Sequence, residues 1–218
     1  MPDRVFLITG ASSGIGASTA RQAAAAGYRV VLAARSLDRL TELAAELGGE
    51  ERAFAVRCDV TDWDQQQAMV SAVLSRFGRL DVAFANAGFG AARGFLNESP
   101  EHWRAMVLTN VYGVALTIRA VLPALKDARG HLLLTGSLAG RRALPGSLYS
   151  ATKFAVSAMG EAARIADFDG HMHRQWTGIV EVEEILIGCL QIALNSSETC
   201  ESPDNRRRRI GKRSSACR

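Results

Sequence analysis

A tyrosine and a lysine stand four residues apart in the stretch YSATKFAV, residues 149–156. Four residues make about one helical turn, so the side chains of Tyr149 and Lys153 can meet on one helix face. A free tyrosine has a pKa of about 10 and is a poor base near neutrality, but a neighbouring ammonium favours the phenolate. The spacing therefore suits proton transfer, although it also fits two residues on a solvated helix, and the rest of the chain must decide.

A glycine-rich stretch, TGASSGIG, occupies residues 9–16 directly after an apolar segment that reads as a strand. Gly10 permits a tight turn, Gly14 lets the backbone approach a pyrophosphate, and Gly16 allows a helix to pack closely on a strand. The N-terminus of the following helix adds N–H groups and a positive dipole end. Between a first strand and a first helix, this loop predicts a dinucleotide site more strongly than a simple glycine turn.

The residue after the second predicted strand bears on the choice of cofactor. A site that prefers NAD carries Asp or Glu there for the ribose 2′-hydroxyl, whereas this chain has Ala34 and then Arg35. An arginine can pair with a 2′-phosphate through charge-assisted hydrogen bonds. Arg35 therefore favours NADP, with NAD as the alternative, unless its side chain is only a solvated surface group.

Short apolar segments alternate with amphipathic ones along most of the chain. The predicted strands cover residues 4–8, 29–34, 52–59, 81–88 and 131–137. Helices are predicted over about 14–26, 36–47, 61–78, 101–127 with an interruption near Asn110, and 148–165. Ser36, Thr61 and Ser99 are the expected helix caps. This alternation predicts an α/β fold with a doubly wound parallel sheet, whose ligand site lies at the carboxyl ends of the strands.

Taken together, these motifs resemble the short-chain dehydrogenase/reductase family over roughly residues 3–164. TGASSGIG is similar to the family's cofactor loop, and CDV (58–60), NAG (86–88), LTNVYG (108–113), TGSLAG (135–140) and YSATK (149–153) are similar to its other motifs in the same order. The resemblance implies a three-layer, Rossmann-like domain. It also implies that the cofactor is bound by Gly10, Ser12, Ser13, Gly14, Ile15, Gly16, Arg35, Asp59, Val60, Asn86, Ala87, Gly88, Tyr149 and Lys153.

The same resemblance implies four catalytic residues for an oxidoreductase of the carbonyl reductase type, acting on a small alcohol or ketone. Tyr149 would be the general acid and base, and Lys153 would lower its pKa and hold the ribose hydroxyls. Ser137 would steady the substrate oxygen, and Asn110 would hold a water in a proton relay. Ser137 and Tyr149 are 12 residues apart, one fewer than in many relatives.

The resemblance breaks down after Arg164, because no Pro-Gly follows the helix that carries Tyr149. Residues 177–182 could form a sixth strand, and residues 183–194 favour a helix with glutamates in its first turn. We therefore expect one domain over residues 1–194, atypical over 167–194 and lacking the usual last strands. The missing part leaves a second function open, a catalytically impaired nucleotide-binding relative with a regulatory role or none.

The net charge of +4 is concentrated at one end of the chain. Residues 1–200 carry 19 basic and 20 acidic side chains, whereas residues 201–218 carry seven and two. A disordered, solvated tail over 195–218 is the favoured interpretation, with anion or nucleic-acid binding as a third, minor hypothesis. Nucleic acid is thus not an expected partner of the folded body.

The remaining features predict little further chemistry. The four cysteines lack metal or C-x-x-C spacing and fit reduced thiols, and no signal peptide or membrane span is evident, so a cytosolic location is expected. His171 and His173 lack a third ligand, so no metal is expected. A homo-oligomer is possible by resemblance, with its interface in doubt because the C-terminal part is atypical.

Overall fold

Six parallel strands form the centre of the computed structural model, which describes residues 4–92, 94–144, 148–166 and 179–182. The strands are β1 (Val5–Thr9), β2 (Arg29–Ala34), β3 (Ala53–Arg57), β4 (Val82–Ala85), β5 (His131–Thr135) and β6 (Ile179–Val182). Their order across the sheet is β3-β2-β1-β4-β5-β6. The chain builds outward from β1 in one direction and then in the other, so a switch point lies between β1 and β4. The predicted doubly wound α/β class is confirmed.

Six α-helices connect the described strands. They are α1 (Gly14–Ala25), α2 (Leu37–Glu46), α3 (Trp63–Phe77), α4 (Pro100–Val107), α5 (Val114–Ala128) and α6 (Leu148–Ala166). A π-helical segment, Leu108–Gly113, joins α4 to α5, and a 3₁₀ turn, Leu138–Gly140, follows β5. The interruption predicted near Asn110 is therefore confirmed, and it takes the form of a π-helix.

The sheet is buried on both faces. Alternate strand residues such as Val5, Leu7 and Val31 join one core cluster with side chains of α3, α5 and α6. The intervening residues Phe6 and Ile8 are also fully buried. Since successive side chains point to opposite faces of a strand, each face must be covered. This explains why the strands read as continuous apolar runs instead of alternating ones.

Two of the predicted helix caps differ in detail from the structure. Ser99 caps α4 as predicted, accepting a hydrogen bond from the His102 backbone N–H. The cap of α3 is Asp62 and not Thr61, because the Asp62 side chain accepts the Gln65 N–H while Thr61 bonds to Asp59. Ser36 stands at the N-cap position of α2, but its side chain makes no capping hydrogen bond.

The expectation that the sheet lacks its sixth strand is wrong, because β6 is present at the edge of the sheet. β6 pairs in parallel with β5, with Leu132 opposite Ile179 and Thr135 opposite Val182. It falls within the range 177–182 that the sequence left open as a strand. The helix predicted over 183–194, the tail 195–218, and His171 and His173 lie outside the described residues.

The helical stretch Pro100–Ala128 is 29 residues long and contains an 18-residue window with a mean hydropathy of 1.6. By length and composition alone it matches a membrane span, although the sequence analysis predicts none. In the fold, α5 packs on the sheet, with Val121 and Leu125 completely buried in the core cluster. Its apolar character is thus that of a core helix.

Candidate active site

A cleft of about 570 Å³ runs along the carboxyl ends of the strands. Its walls contain residues at or just after the ends of β1, β2, β3, β4 and β5, together with Tyr149 and Lys153 from α6. Neighbouring strands lie about 4.8 Å apart, so a ligand that crosses from β3 to β5 is roughly 19 Å long. The cleft therefore suits an extended ligand at the switch point of the sheet.

Most of the predicted cofactor residues line this cleft. They are Gly10, Ser12, Ser13, Gly14, Ile15, Arg35, Asp59, Val60, Asn86, Ala87, Gly88, Tyr149 and Lys153. Gly16, Asn110 and Ser137 do not line it and are buried beside it. Phe89, Gly90, Ala91, Thr109 and Thr135 also line it, and the sequence reading did not single them out.

The glycine loop has the geometry that its spacing predicts. A Cβ on Gly16 would lie 2.4 Å from the Gly10 carbonyl oxygen, so only glycine lets α1 approach the loop this closely. Gly14 has a φ of 54°, and a Cβ placed there would meet no atom within 4 Å, because Gly14 opens onto the cleft. Ser13 makes no side-chain capping hydrogen bond, and the first turn of α1 has no acidic residue. The backbone N–H groups at the N-terminus of α1 are therefore suited to bind an anion.

Asn86 connects three strands at the floor of the cleft. Its Nδ2 donates to the Thr9 carbonyl at 2.9 Å, and its Oδ1 accepts from the Thr135 hydroxyl at 3.2 Å. The Thr9 hydroxyl in turn accepts from the backbone N–H groups of Asn86 and Ala87 at 3.0 and 3.2 Å. These contacts join the ends of β1, β4 and β5, so they fix the loop that follows β4.

At the β3 end of the cleft, Asp59 is held by its neighbours in the loop. Its Oδ1 accepts from both the N–H and the hydroxyl of Thr61, and its own N–H donates to Gln65 Oε1 at 2.9 Å. Arg35, after β2, has an exposed side chain, and no described residue forms a hydrogen bond or ion pair with its guanidinium. The group can therefore meet an anion in the cleft.

Lys153 and Tyr149 lie together on the first turns of α6. Lys153 is only 6% exposed, and its Nζ donates to the Thr135 carbonyl at 2.8 Å. The same Nζ lies 5.6 Å from the centre of the Tyr149 ring. The predicted helical pair is thus a contact, and it brings a buried ammonium beside a phenol in the wall of the cleft.

Ser137 lies at the end of β5, where it caps the 3₁₀ turn. Its Oγ accepts from the Ala139 N–H at 3.2 Å, and the residue is 4% exposed. A serine hydroxyl that accepts in this way can still donate one hydrogen bond. A Cβ on Gly140 would lie 2.7 Å from the Lys153 carbonyl oxygen, so the turn packs tightly on α6.

The side chain of Asn110 makes three hydrogen bonds to protein groups. Its Oδ1 accepts from the Phe89 N–H at 3.0 Å, and its Nδ2 donates to the Phe89 carbonyl at 2.8 Å and to the Thr152 hydroxyl at 3.3 Å. Thr152 also donates to the Tyr149 carbonyl at 2.7 Å. Asn110 therefore links the wall of the cleft at Phe89 to the turn that carries Tyr149.

The comparisons with known proteins agree with this geometry. A model of the short chain dehydrogenase family matches residues 4–193. The chain belongs to this family. It is therefore a member of a family of NAD(P)-dependent oxidoreductases, and the resemblance found in the sequence is confirmed.

Individual relatives support the same assignment. Dehydrogenase/reductase SDR family member 11 from Homo sapiens is 34% identical over 194 residues, which cover 83% of this chain and 75% of that protein. An uncharacterised oxidoreductase from Staphylococcus saprophyticus is 38% identical over 164 residues, or 74% of this chain and 66% of the relative. The chain thus spans about two thirds to three quarters of the length of these relatives.

Solved structures show the same fold. An alcohol dehydrogenase from Thermococcus sibiricus, complexed with 5-hydroxy-NADP, matches with a TM-score of 0.72 and 35% identity over 83% of this chain and 75% of that one. A short-chain dehydrogenase/reductase from Burkholderia phymatum, in complex with NAD, matches with a TM-score of 0.73 and 30% identity over 83% of this chain and 64% of that one.

Proposed function

We propose that this protein is an NADP-dependent oxidoreductase that transfers hydride between the nicotinamide and a hydroxyl/carbonyl substrate, with Tyr149 as general acid and base. The observation that carries the proposal is the composition of one cleft. The glycine loop and Arg35 line it together with the Tyr149–Lys153 pair. An anion-binding segment and a proton-transfer pair that line one cleft suit a dinucleotide-dependent redox reaction.

The residues of the cleft fit the cofactor. The open space over Gly14 and the uncapped N–H groups of α1 suit the pyrophosphate. Arg35 would pair with the 2′-phosphate of NADP, and Asp59 and Val60 would border the adenine. Lys153 would hold the ribose next to the nicotinamide. The relatives with bound NADP and NAD support a nicotinamide cofactor, and Arg35 is the reason to prefer NADP.

The chemistry assigns one role to each polar group. The bound nicotinamide supplies or accepts the hydride. In the reducing direction, the Tyr149 hydroxyl gives its proton to the carbonyl oxygen as the hydride adds to carbon, and in the oxidising direction it takes that proton back. The Lys153 ammonium stabilises the phenolate left behind. Ser137 donates to the substrate oxygen as its negative charge develops.

Asn110 is buried beside the cleft and positions the segments around Tyr149. Its contacts with Phe89 and Thr152 hold the wall of the cleft and the turn of Tyr149 in one arrangement. The water relay that the sequence resemblance implies for Asn110 stays a prediction. The cytosolic location, the small alcohol or ketone substrate and a homo-oligomeric assembly stay predictions as well.

A thermal-shift titration of the full-length protein with NADPH and with NADH, followed by carbonyl turnover on the same sample, tests the proposal. We expect a larger shift with NADPH and oxidation of NADPH by at least one carbonyl in a broad panel. A shift without turnover would favour the catalytically impaired relative. No shift with either nucleotide would overturn the proposal.

The Tyr149→Phe variant tests the catalytic assignment. It keeps the ring but loses the proton, so turnover should fall about 10²- to 10⁴-fold while NADPH still stabilises the protein. Tyr112→Phe is the matched control, because Tyr112 is 49% exposed and does not line the cleft. If Tyr149→Phe retained turnover, the assignment of Tyr149 as the proton donor would be wrong.

The Arg35→Ala variant tests the preference for NADP. Loss of a charge-assisted contact should weaken NADPH binding about tenfold or more and leave NADH binding nearly unchanged. Arg104→Ala, an exposed arginine of α4, is the control for a change in overall charge. Equal losses for the two nucleotides would contradict a phosphate contact at Arg35.

A further inference from the structure

Three consecutive glutamines, Gln65, Gln66 and Gln67, lie in the first two turns of α3, the helix that follows the Asp59–Val60 loop. Gln67 is exposed, Gln65 is half-buried, and Gln66 is completely buried. A buried amide costs free energy unless hydrogen bonds compensate it. The burial of Gln66 therefore requires compensating hydrogen bonds, whereas the more exposed Gln65 and Gln67 can bond to water.

The amide nitrogen of Gln66 joins two parts of the active site. Its Nε2 donates to the Val60 carbonyl at 3.0 Å and to the Thr117 hydroxyl at 2.8 Å, and it lies 3.4 Å from the Gly113 carbonyl. Thr117 in turn donates to the Gly113 carbonyl at 2.8 Å. Val60 lines the cleft, and Gly113 ends the π-helical segment Leu108–Gly113 that carries Asn110.

Val60 and Gly113 are also in direct contact. A Cβ on Gly113 would lie 2.8 Å from Val60 Cγ2 and 3.3 Å from the Val60 carbonyl oxygen, so Gly113 packs against both the side chain and the backbone of Val60. The amide of Gln66 bridges them beside this contact. A shift of either segment must therefore disturb the other.

The remaining polar atom of Gln66 argues against a role in stability alone. Its Oε1 is buried and accepts no hydrogen bond from the residues that the structure describes. Rotation of the amide would place this oxygen against the Val60 and Gly113 carbonyls, which cannot donate. A buried unpaired oxygen is a cost that an apolar side chain of similar length avoids. What the amide adds is the link between Val60 and Gly113.

We propose that Gln66 is a positioning residue that couples the adenosine end of the cleft, at Val60, to the π-helical segment that carries Asn110. It touches neither substrate nor cofactor. It fixes the backbone of both segments together, so that the loop that receives the adenosine and the wall built on Asn110 keep one relative position. This inference rests on the proposed function.

The test compares Gln66→Met, which keeps the length but cannot donate, with Thr117→Val, which removes the hydroxyl of the same link. Gln67→Met is the matched control on the exposed side of the helix. For each full-length variant, the Kd for NADPH, kcat and the urea midpoint are measured. We expect Gln66→Met to raise the Kd about tenfold and to lower kcat, Thr117→Val to do the same to a smaller extent, and Gln67→Met to match the wild type.

The outcomes separate this inference from the proposed function. If the wild type neither binds NADPH nor turns over, the proposed function fails and this inference fails with it. If the wild type is active and the variants lose only stability, with unchanged Kd and kcat, Gln66 is merely structural and the inference alone is overturned. If Gln66→Met does not fold, Thr117→Val decides by the same measurements.

Discussion

At the scale of single residues, Lys153 defines the electrostatics of the site. Its ammonium is almost entirely inside the protein, and burial of a charge is costly without hydrogen-bond partners. The Thr135 carbonyl supplies one such partner at the end of β5. The position of the charge beside Tyr149 therefore depends on the sheet as much as on the helix that carries both side chains.

Gly14 offers a residue-scale test of the cleft. Gly14→Ala introduces a methyl group that meets no protein atom but projects where a pyrophosphate would bind. Stability should fall by only about 1 to 2 kcal/mol, from the positive φ, while NADPH affinity falls by at least tenfold. Urea unfolding and NADPH titration measure the two effects.

Gly27→Ala is the control for backbone strain, because Gly27 also has a positive φ, of 89°, with open space around it at the far end of α1. It should lose stability and keep its affinity for NADPH. Equal affinities for the two variants would contradict a cofactor site over Gly14.

Cys58 should behave as an inert thiol although it lies next to Asp59. Burial, with the charges of Asp59 and Asp62, raises its pKa from 9.0 to about 12. In the folded protein at pH 8 it should therefore resist alkylation, and in urea it should react. Peptide mapping by mass spectrometry distinguishes it from the other cysteines, and rapid labelling of Cys58 in the native protein would contradict this environment.

The same shift predicts a dependence of stability on pH. The folded-state pKa lies above that of the unfolded chain, so the unfolded state loses its proton first as the pH rises. The contribution of Cys58 is therefore complete below about pH 9 and is lost between pH 9 and about 12. Cys58→Ala should show a smaller loss of unfolding free energy over that window in urea titrations.

At the scale of elements, the end of the sheet opposite the cleft is held by a buried carboxylate. Asp81, just before β4, accepts from the Val5 N–H at 2.9 Å and from Arg79 through both oxygens, at 2.9 and 2.5 Å. It thus joins the starts of β1 and β4. These two strands flank the switch point, so Asp81 supports the site from a distance.

Asp81→Ala should lower the free energy of unfolding by about 2 to 4 kcal/mol, because it leaves the buried Val5 N–H without its acceptor. Urea denaturation measures the change. Arg21→Ala breaks the ion pair between Arg21 and Glu46 on the exposed surface and should have little effect. Comparable losses in the two variants would show that burial of Asp81 does not govern its contribution.

At the scale of the whole molecule, charge is separated along the chain. The seven basic residues of 201–218 account for the positive net charge, since residues 1–200 carry 19 basic and 20 acidic side chains. The cleft and the strands belong to the nearly neutral part. All described residues lie in one compact unit, and the proposed domain end at residue 194 falls outside them.

Deletion of residues 201–218 should remove any salt-sensitive binding to nucleic acid while NADPH binding is unchanged. The deletion takes away the excess of basic side chains that phosphate binding requires. Binding to a DNA fragment at two salt concentrations, alongside NADPH titration, measures both. Salt-sensitive binding that survives the deletion would assign the basic surface to the body of the protein.

Much of the site was predictable from local patterns. Buried strands, the glycine loop and the Tyr149–Lys153 spacing each leave a signature within a few residues, because strand burial, turn geometry and the helical period act over short ranges. Their order along the chain then fixed the fold class and the edge of the sheet where a ligand binds. The preference for NADP and the role of each catalytic residue stay predictions from these motifs.

The tertiary structure alone decided how distant polar groups combine. Nothing in the local sequence indicates that Asn110 hydrogen-bonds to Phe89 and Thr152, or that Asp81 accepts a hydrogen bond from β1. The local sequence also does not indicate that Gln66 is buried and Gln67 exposed. It also decided that residues 179–182 pair with β5 as a sixth strand. Such contacts join residues far apart in sequence, and hydrogen bonds of this kind leave no periodic pattern. The sequence by itself determined the family and the fold class, because their motifs are local, and the packing of the sheet and helices decided which distant side chains support the cleft.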